Sequence, residues 1–142
     1  MSRFHLLLVC TGNTCRSPMA EVMAKRVLAD EPGVTVGSAG VFAGEGHPAS
    51  GEAIEAMDLI GLDLTGHRSR MLTADLINEV DQIYTMTSSH RQAVLAQYPH
   101  AETKVQRLDP DRDISDPFGA DLSVYQETAC QIQSALEARL KE

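Results

Sequence analysis

The sequence predicts an α/β fold, a four-stranded parallel sheet with helices on both faces, and three observations carry that expectation. Short apolar runs alternate with segments whose apolar residues recur at helical spacing, the pattern of a parallel sheet flanked by helices. The first apolar run enters the loop "CTGNTCRSPMAE", residues 10–21, which opens directly into a helical segment. With 142 residues, 43% of them apolar and 23% charged, the chain is long enough for one core, and one domain over 1–142 is expected.

Phe4 to Val9 is apolar almost throughout and reads as a buried strand. Pro18 suits a first helical position with Ser17 as N-cap. Met19, Ala20, Met23, Ala24, Val27 and Leu28 continue that helix until Pro32-Gly33. Val34 to Gly37 is a second strand, followed by a Gly-rich loop through His47. Ala53, Ile54, Met57 and Ile60 mark a second helix that Gly61 stops. A short helix follows Thr73, with Leu76, Ile77 and Val80 inward. Gln82 to Met86 is the third strand, Ser88 to Gln97 a helix, and Lys104 to Leu108 the fourth strand. A loop rich in Asp and Pro spans 109–121, and the last helix runs from Ser123 to Leu140 with Cys130 expected in the core.

The remaining composition narrows the function. A net charge of −8 with no basic stripe argues against nucleic acid. No segment approaches the roughly 20 apolar residues of a membrane span, and the apolar N-terminal run is too short for a signal sequence. A cytoplasmic monomer is expected. Three cysteines, an odd number, make no disulfide framework. An anionic ligand must therefore be drawn in by local chemistry, against the global charge.

That chemistry lies in residues 10–17. Sheets of this kind bind ligands beyond the carboxyl ends of their strands. A phosphate-binding loop between the first strand and the first helix is expected there, built from Thr11, Gly12, Asn13, Thr14, Cys15 and Arg16. Gly12 and Asn13 both tolerate left-handed dihedrals, which lets successive N–H groups turn inward as an anion nest. Arg16, six residues after Cys10, can grip two phosphate oxygens at once. The same field favours the thiolate of Cys10, which makes it a nucleophile, and Ser17 could donate a hydrogen bond to it. Attack on phosphorus needs an acid for the leaving group. "SDPFGAD", residues 115–121, offers Asp116, stiffened by Pro117, with Phe118 as an apolar pocket wall.

Four pieces of the chain, "VCTGNTCRSPMAE", "SAG" at 38–40, "HRSR" at 67–70 and "DPFG" at 116–119, together resemble the low molecular weight protein tyrosine phosphatase family over essentially the full length. The resemblance implies a four-stranded parallel sheet and hydrolysis of phosphorylated proteins through a cysteinyl-phosphate, without metal or other cofactor. By position, Cys10 resembles the family's nucleophile, Arg16 its phosphate clamp and Asp116 its general acid. Asn13, Ser17, Ser38 and His67 resemble the network that keeps the loop rigid. Cys15 resembles a neighbouring cysteine that can pair reversibly with the nucleophile and protect it from overoxidation.

Zinc at Cys10 and Cys15 is rejected for want of a second ligand pair. Calcium at 109–120 is rejected because Ile114 and Ala120 stand where a calcium loop needs Gly and Glu. Arsenate reduction would need further relay cysteines, and residues 75–100 contain none. A non-catalytic phosphopeptide-binding module would need neither thiol nor acid. Many tyrosine-directed members carry Ile where this chain has Thr14, Asp where it has Thr87, and a second aromatic where it has Gly119. All three departures resemble the protein-arginine phosphatase branch, so phosphoarginine is the favoured substrate and phosphotyrosine the alternative. Thr14 and Phe118 are the candidate selecting residues, since Thr is slimmer than Ile and offers a hydroxyl to guanidinium N–H groups.

Overall fold

A computed structural model describes residues 3–140. Four strands, β1 (Phe4–Cys10), β2 (Val34–Gly40), β3 (Gln82–Thr85) and β4 (Val105–Arg107), form one all-parallel sheet in the order β2-β1-β3-β4. Around it lie α1 (Arg16–Val27), α2 (Gly51–Asp58), α3 (Ala74–Glu79), α4 (Ser88–Gln97) and α5 (Leu122–Leu140). A short 3-10 helix at Pro99–Lys104, not expected from the sequence, precedes β4.

The unbroken apolar run of β1 has a simple cause: alternate side chains serve two cores. Leu6, Leu8 and Cys10 pack with Met19 and Met23 of α1, Met57 of α2 and Ile132 and Leu136 of α5. Leu7 and Val9 pack on the other face with Ile77 of α3 and Val94 of α4. From β1 the chain crosses first to β2 on one side and later to β3 on the other, so the switch point lies where β1 ends, at Cys10.

Several boundaries differ from expectation, each for a local reason. Helix α1 begins at Arg16 with Cys15 at the N-cap and no side-chain cap, so Ser17 is a buried helical residue, not the cap. Its hydroxyl is committed instead to Asn13 and Cys10. Strand β2 continues three residues past Gly37, because Ser38, Ala39 and Gly40 stay in register with Leu8, Val9 and Cys10. Helix α2 ends at Asp58, leaving Ile60 40% exposed, and the reversal falls at Gly61 with φ +82°. Thr73 and Thr87 cap α3 and α4 through their hydroxyls. Cys130 is exposed, not core: the buried stripe of α5 runs through Tyr125, Thr128, Ala129, Ile132, Ala135 and Leu136, and Cys130 falls off it.

Candidate active site

Cys10, Thr11, Gly12, Thr14, Cys15, Arg16, Asp116 and Phe118 line one cleft of about 230 Å³ beyond the carboxyl end of β1. The loop reaches that shape through one left-handed residue. Asn13 takes φ +58°, the conformation an Asn tolerates better than other side chains, whereas Gly12 keeps a φ outside that region. A Cβ on Gly12 would meet only Thr14 Oγ1, at 3.8 Å, so Gly12 borders open cleft rather than packed protein.

Asn13 is fully buried and every polar group of its side chain is used. Its Oδ1 accepts from the Arg70 N–H at 3.0 Å, which fixes the orientation of the amide. Its Nδ2 donates to Ser17 Oγ at 2.8 Å and to Ser38 Oγ at 3.0 Å. Its main-chain carbonyl accepts from His67 Nε2 at 2.7 Å. The Ser38 hydroxyl in turn donates a hydrogen bond to Glu21 Oε1 at 2.6 Å. Ser17, already accepting from Asn13, has its proton free for Cys10 Sγ, 2.9 Å away. Donors and acceptors therefore run in one direction, from the Asn13 amide through Ser17 to the thiol. Glu21 was invisible as a member of this set, because nothing local in "SPMAE" distinguishes it from a solvated helix residue.

Gly40 shows why β2 must end in glycine. A Cβ there would lie 2.4 Å from the Thr11 carbonyl oxygen, 2.8 Å from Ala43 Cβ and 3.1 Å from Asn13 N, so strand and loop backbones touch directly. Gly40→Ala should displace the loop at a cost of about 1–3 kcal/mol. We expect kcat/KM for an aryl phosphate to fall by at least about tenfold, and Tm by several degrees. An alanine variant with wild-type kinetics and melting would show that the loop yields freely.

The opposite wall is held by the loop after β4. Ile114, wholly buried, is pinned by its N–H to the Met86 carbonyl at 2.8 Å, and its carbonyl accepts from Arg16 Nη1 at 2.8 Å. Two residues on, Asp116 Oδ2 stands 3.6 Å from Arg16 Nη2, with its side chain 53% exposed and that of Arg16 only 6%. Asp116 Oδ1 accepts from the Phe118 N–H at 3.0 Å, a turn that leaves the Phe118 ring 72% exposed at the cleft. Ile114 is thus the anchor that sets both guanidinium and carboxyl.

Cys15 lines the cleft but its thiol is already partnered, 3.3 Å from the Tyr125 hydroxyl and 3.5 Å from Ser50 Oγ. Burial, with the Cys15 contact, pushes the Tyr125 phenol up to about 12, so it stays protonated. Cys10 and Cys15 are both free thiols. Thr87 and Gly119 lie outside the cleft lining: the first caps α4, the second takes φ +83° in the turn after Phe118. Two residues that sequence reasoning missed also meet the loop. His90 of α4 contacts Thr11, and Phe42, 81% exposed, donates its N–H to the Thr11 carbonyl at 3.0 Å.

The model of the family described as low molecular weight phosphotyrosine protein phosphatase matches residues 5–142. A probable low molecular weight protein-tyrosine-phosphatase, EpsP of Ralstonia solanacearum, is 36% identical over 135 residues, covering 94% of this chain and 91% of its own. A protein-arginine-phosphatase of Geobacillus stearothermophilus is 38% identical over 144 residues, covering 98% and 95%. Among solved structures, a YwlE arginine phosphatase mutant with a phosphorylated active site serine superposes with a TM-score of 0.92 at 34% identity, over 98% of this chain and 97% of that one. The sheet, the loop between β1 and α1, and these full-length similarities agree: the chain belongs to the low molecular weight phosphotyrosine protein phosphatase family, whose named members are hydrolases.

Proposed function

We propose that the protein dephosphorylates proteins through a phosphocysteine on Cys10, with phosphoarginine as its preferred substrate. The observation that carries the mechanism is the meeting of a thiol, a buried guanidinium and a carboxyl in one cleft. In the first step Cys10 Sγ, as the thiolate, attacks phosphorus, the bond to the leaving atom breaks, and Asp116 delivers a proton to that atom. Arg16 and the loop N–H groups hold the three phosphoryl oxygens, and Ser17 steadies the sulfur as its charge changes. In the second step water attacks phosphorus and gives its proton to Asp116. The S–P bond breaks, releasing phosphate and the thiolate. The similar YwlE mutant with its phosphorylated serine supports a covalent intermediate at this position.

Overall identity does not choose the substrate, since relatives named for tyrosine and for arginine are about equally similar. Of the three departures from the tyrosine-directed pattern, only Thr14 lines the cleft, so the preference rests on it. The exposed Phe118 ring favours a second reading, phosphotyrosine, because it offers a flat apolar face to a phenyl group. The experiment is a side-by-side kcat/KM for phosphoarginine and phosphotyrosine peptides on the wild type and on Thr14→Ile. The substitution removes a hydroxyl and adds apolar bulk, so the arginine-to-tyrosine ratio should fall by roughly tenfold or more. An unchanged ratio would remove Thr14 as the selecting residue and leave phosphotyrosine as the leading reading.

A further inference from the structure

His90, the third residue of α4, is only 5% exposed and places Nε2 2.7 Å from Thr11 Oγ1, at the cleft. Its other ring nitrogen, Nδ1, is buried and has no hydrogen-bond partner among the described residues. These two facts decide the tautomer. A proton on Nδ1 would bury an N–H with no acceptor, the costlier and rarer of the two ways to leave a nitrogen unpaired. The proton therefore sits on Nε2, the nitrogen that has a partner. Nε2–H then donates to Thr11 Oγ1, and the Thr11 hydroxyl proton cannot point back at the ring.

The imidazole also stays neutral. Burial first, then the neighbouring Arg16 charge, push its pKa down to about 4, against smaller upward pulls from Asp116 and Asp113. At neutral pH there is no second proton to disturb the arrangement.

We propose that His90 is a positioning residue: its Nε2–H holds the Thr11 hydroxyl so that the hydroxyl proton faces the cleft and donates to an oxygen of the bound phosphoryl group. This rests on the reading of the cleft as a phosphate site. It adds one oriented side-chain donor to the N–H groups of the loop and the guanidinium of Arg16. The chemistry is that of a two-bond relay, from a neutral imidazole through a hydroxyl to an anion, with each group giving one hydrogen bond forward.

The test uses five full-length proteins: wild type, Thr11→Val, His90→Phe, the double variant and His90→Gln. The readouts are the inhibition constant for inorganic phosphate and kcat/KM for an aryl phosphate. Val removes the hydroxyl at nearly constant shape, Phe removes the donor, and the Gln side-chain nitrogen can reach the place of Nε2. Thr11→Val and His90→Phe should each weaken phosphate inhibition by about tenfold. The double variant should be no weaker than either single one, and His90→Gln should return to within about threefold of the wild type. Wild-type inhibition in His90→Phe, multiplied losses in the double variant, or no rescue by Gln would each overturn the proposal. Long-range 1H–15N NMR of the wild type needs no variant to fold: it should find His90 protonated on Nε2 at neutral pH, and Nδ1–H would overturn the proposal. A wild type that neither binds phosphate nor hydrolyses the ester would instead refute the parent reading, and this one with it.

Discussion

Cys10→Ser should abolish turnover while leaving the loop formed. The exchange replaces Sγ by a smaller oxygen that can still meet Ser17 Oγ, 2.9 Å from the sulfur in the native chain. Nothing else that shapes the loop depends on the sulfur. Asn13 is held by Ser17, Ser38, His67 and the Arg70 N–H, and Gly40 still abuts Thr11. Chemically the change is drastic, because a hydroxyl ionises far less readily than a thiol of pKa about 8.5 and so supplies almost no nucleophile at neutral pH. Loss of kcat should be on the order of 10⁴-fold or more, with melting temperature and phosphate affinity close to wild type. Any phosphoryl group that does transfer would form a stable oxygen ester, and intact-mass measurement should find it retained on the protein. Sustained turnover by a clean Cys10→Ser preparation would end the covalent mechanism. Loss of phosphate binding along with activity would mean that the sulfur also holds the loop in place.

How much of this is legible in the sequence follows from how local each signal is. The alternation of runs such as Phe4–Val9 with helical spacing such as Met19, Met23 and Val27 is a property of neighbours in sequence, and it yielded the sheet and its helices. The start of α3 was equally local, since Thr73 stands one residue ahead of the first helical turn and caps it. Ser17 misled for an instructive reason. A serine before Pro18 is a good cap by itself, but the helix already begins at Arg16 and the hydroxyl turns to Asn13 and Cys10. The role of Gly40 depends on a clash with Thr11 twenty-nine positions earlier in the chain, a contact that no spacing rule encodes. Ile114 and His90 are similar cases: each holds the cleft through a partner far away in sequence, Arg16 in one case and Thr11 in the other. Cys10, Arg16 and Asp116 sat in recognisable motifs, as did Asn13, Ser17, Ser38 and His67. Ile114 and His90 did not.

The second large effect is expected at Asp116. Its Oδ1 accepts the Phe118 N–H at 3.0 Å, and the amide oxygen of Asn can accept the same bond, so Asp116→Asn should keep the turn and the Phe118 wall. What it removes is the ionisable carboxyl 3.6 Å from Arg16 Nη2. General acid catalysis contributes roughly 10²–10⁴-fold, and its share grows as the leaving group becomes a stronger base. Phosphotyrosine and phosphoarginine, whose leaving atoms need a proton to depart, should lose roughly 10²-fold or more in kcat. A nitrophenyl phosphate, whose leaving group is already a stable anion, should lose about tenfold or less. Binding should move the other way. Removing a carboxylate from beside the anion site also removes a like-charge repulsion, so inorganic phosphate should inhibit the Asn variant at least as well as the wild type. The two directions together separate this role from a structural one, because a collapsed loop would weaken binding and slow every substrate alike. Equal losses for tyrosine and nitrophenyl esters, measured where the chemical step limits the rate, would show that Asp116 is not the acid. The donor would then have to be water admitted at the exposed side of the cleft, where the Asp116 carboxyl already meets solvent.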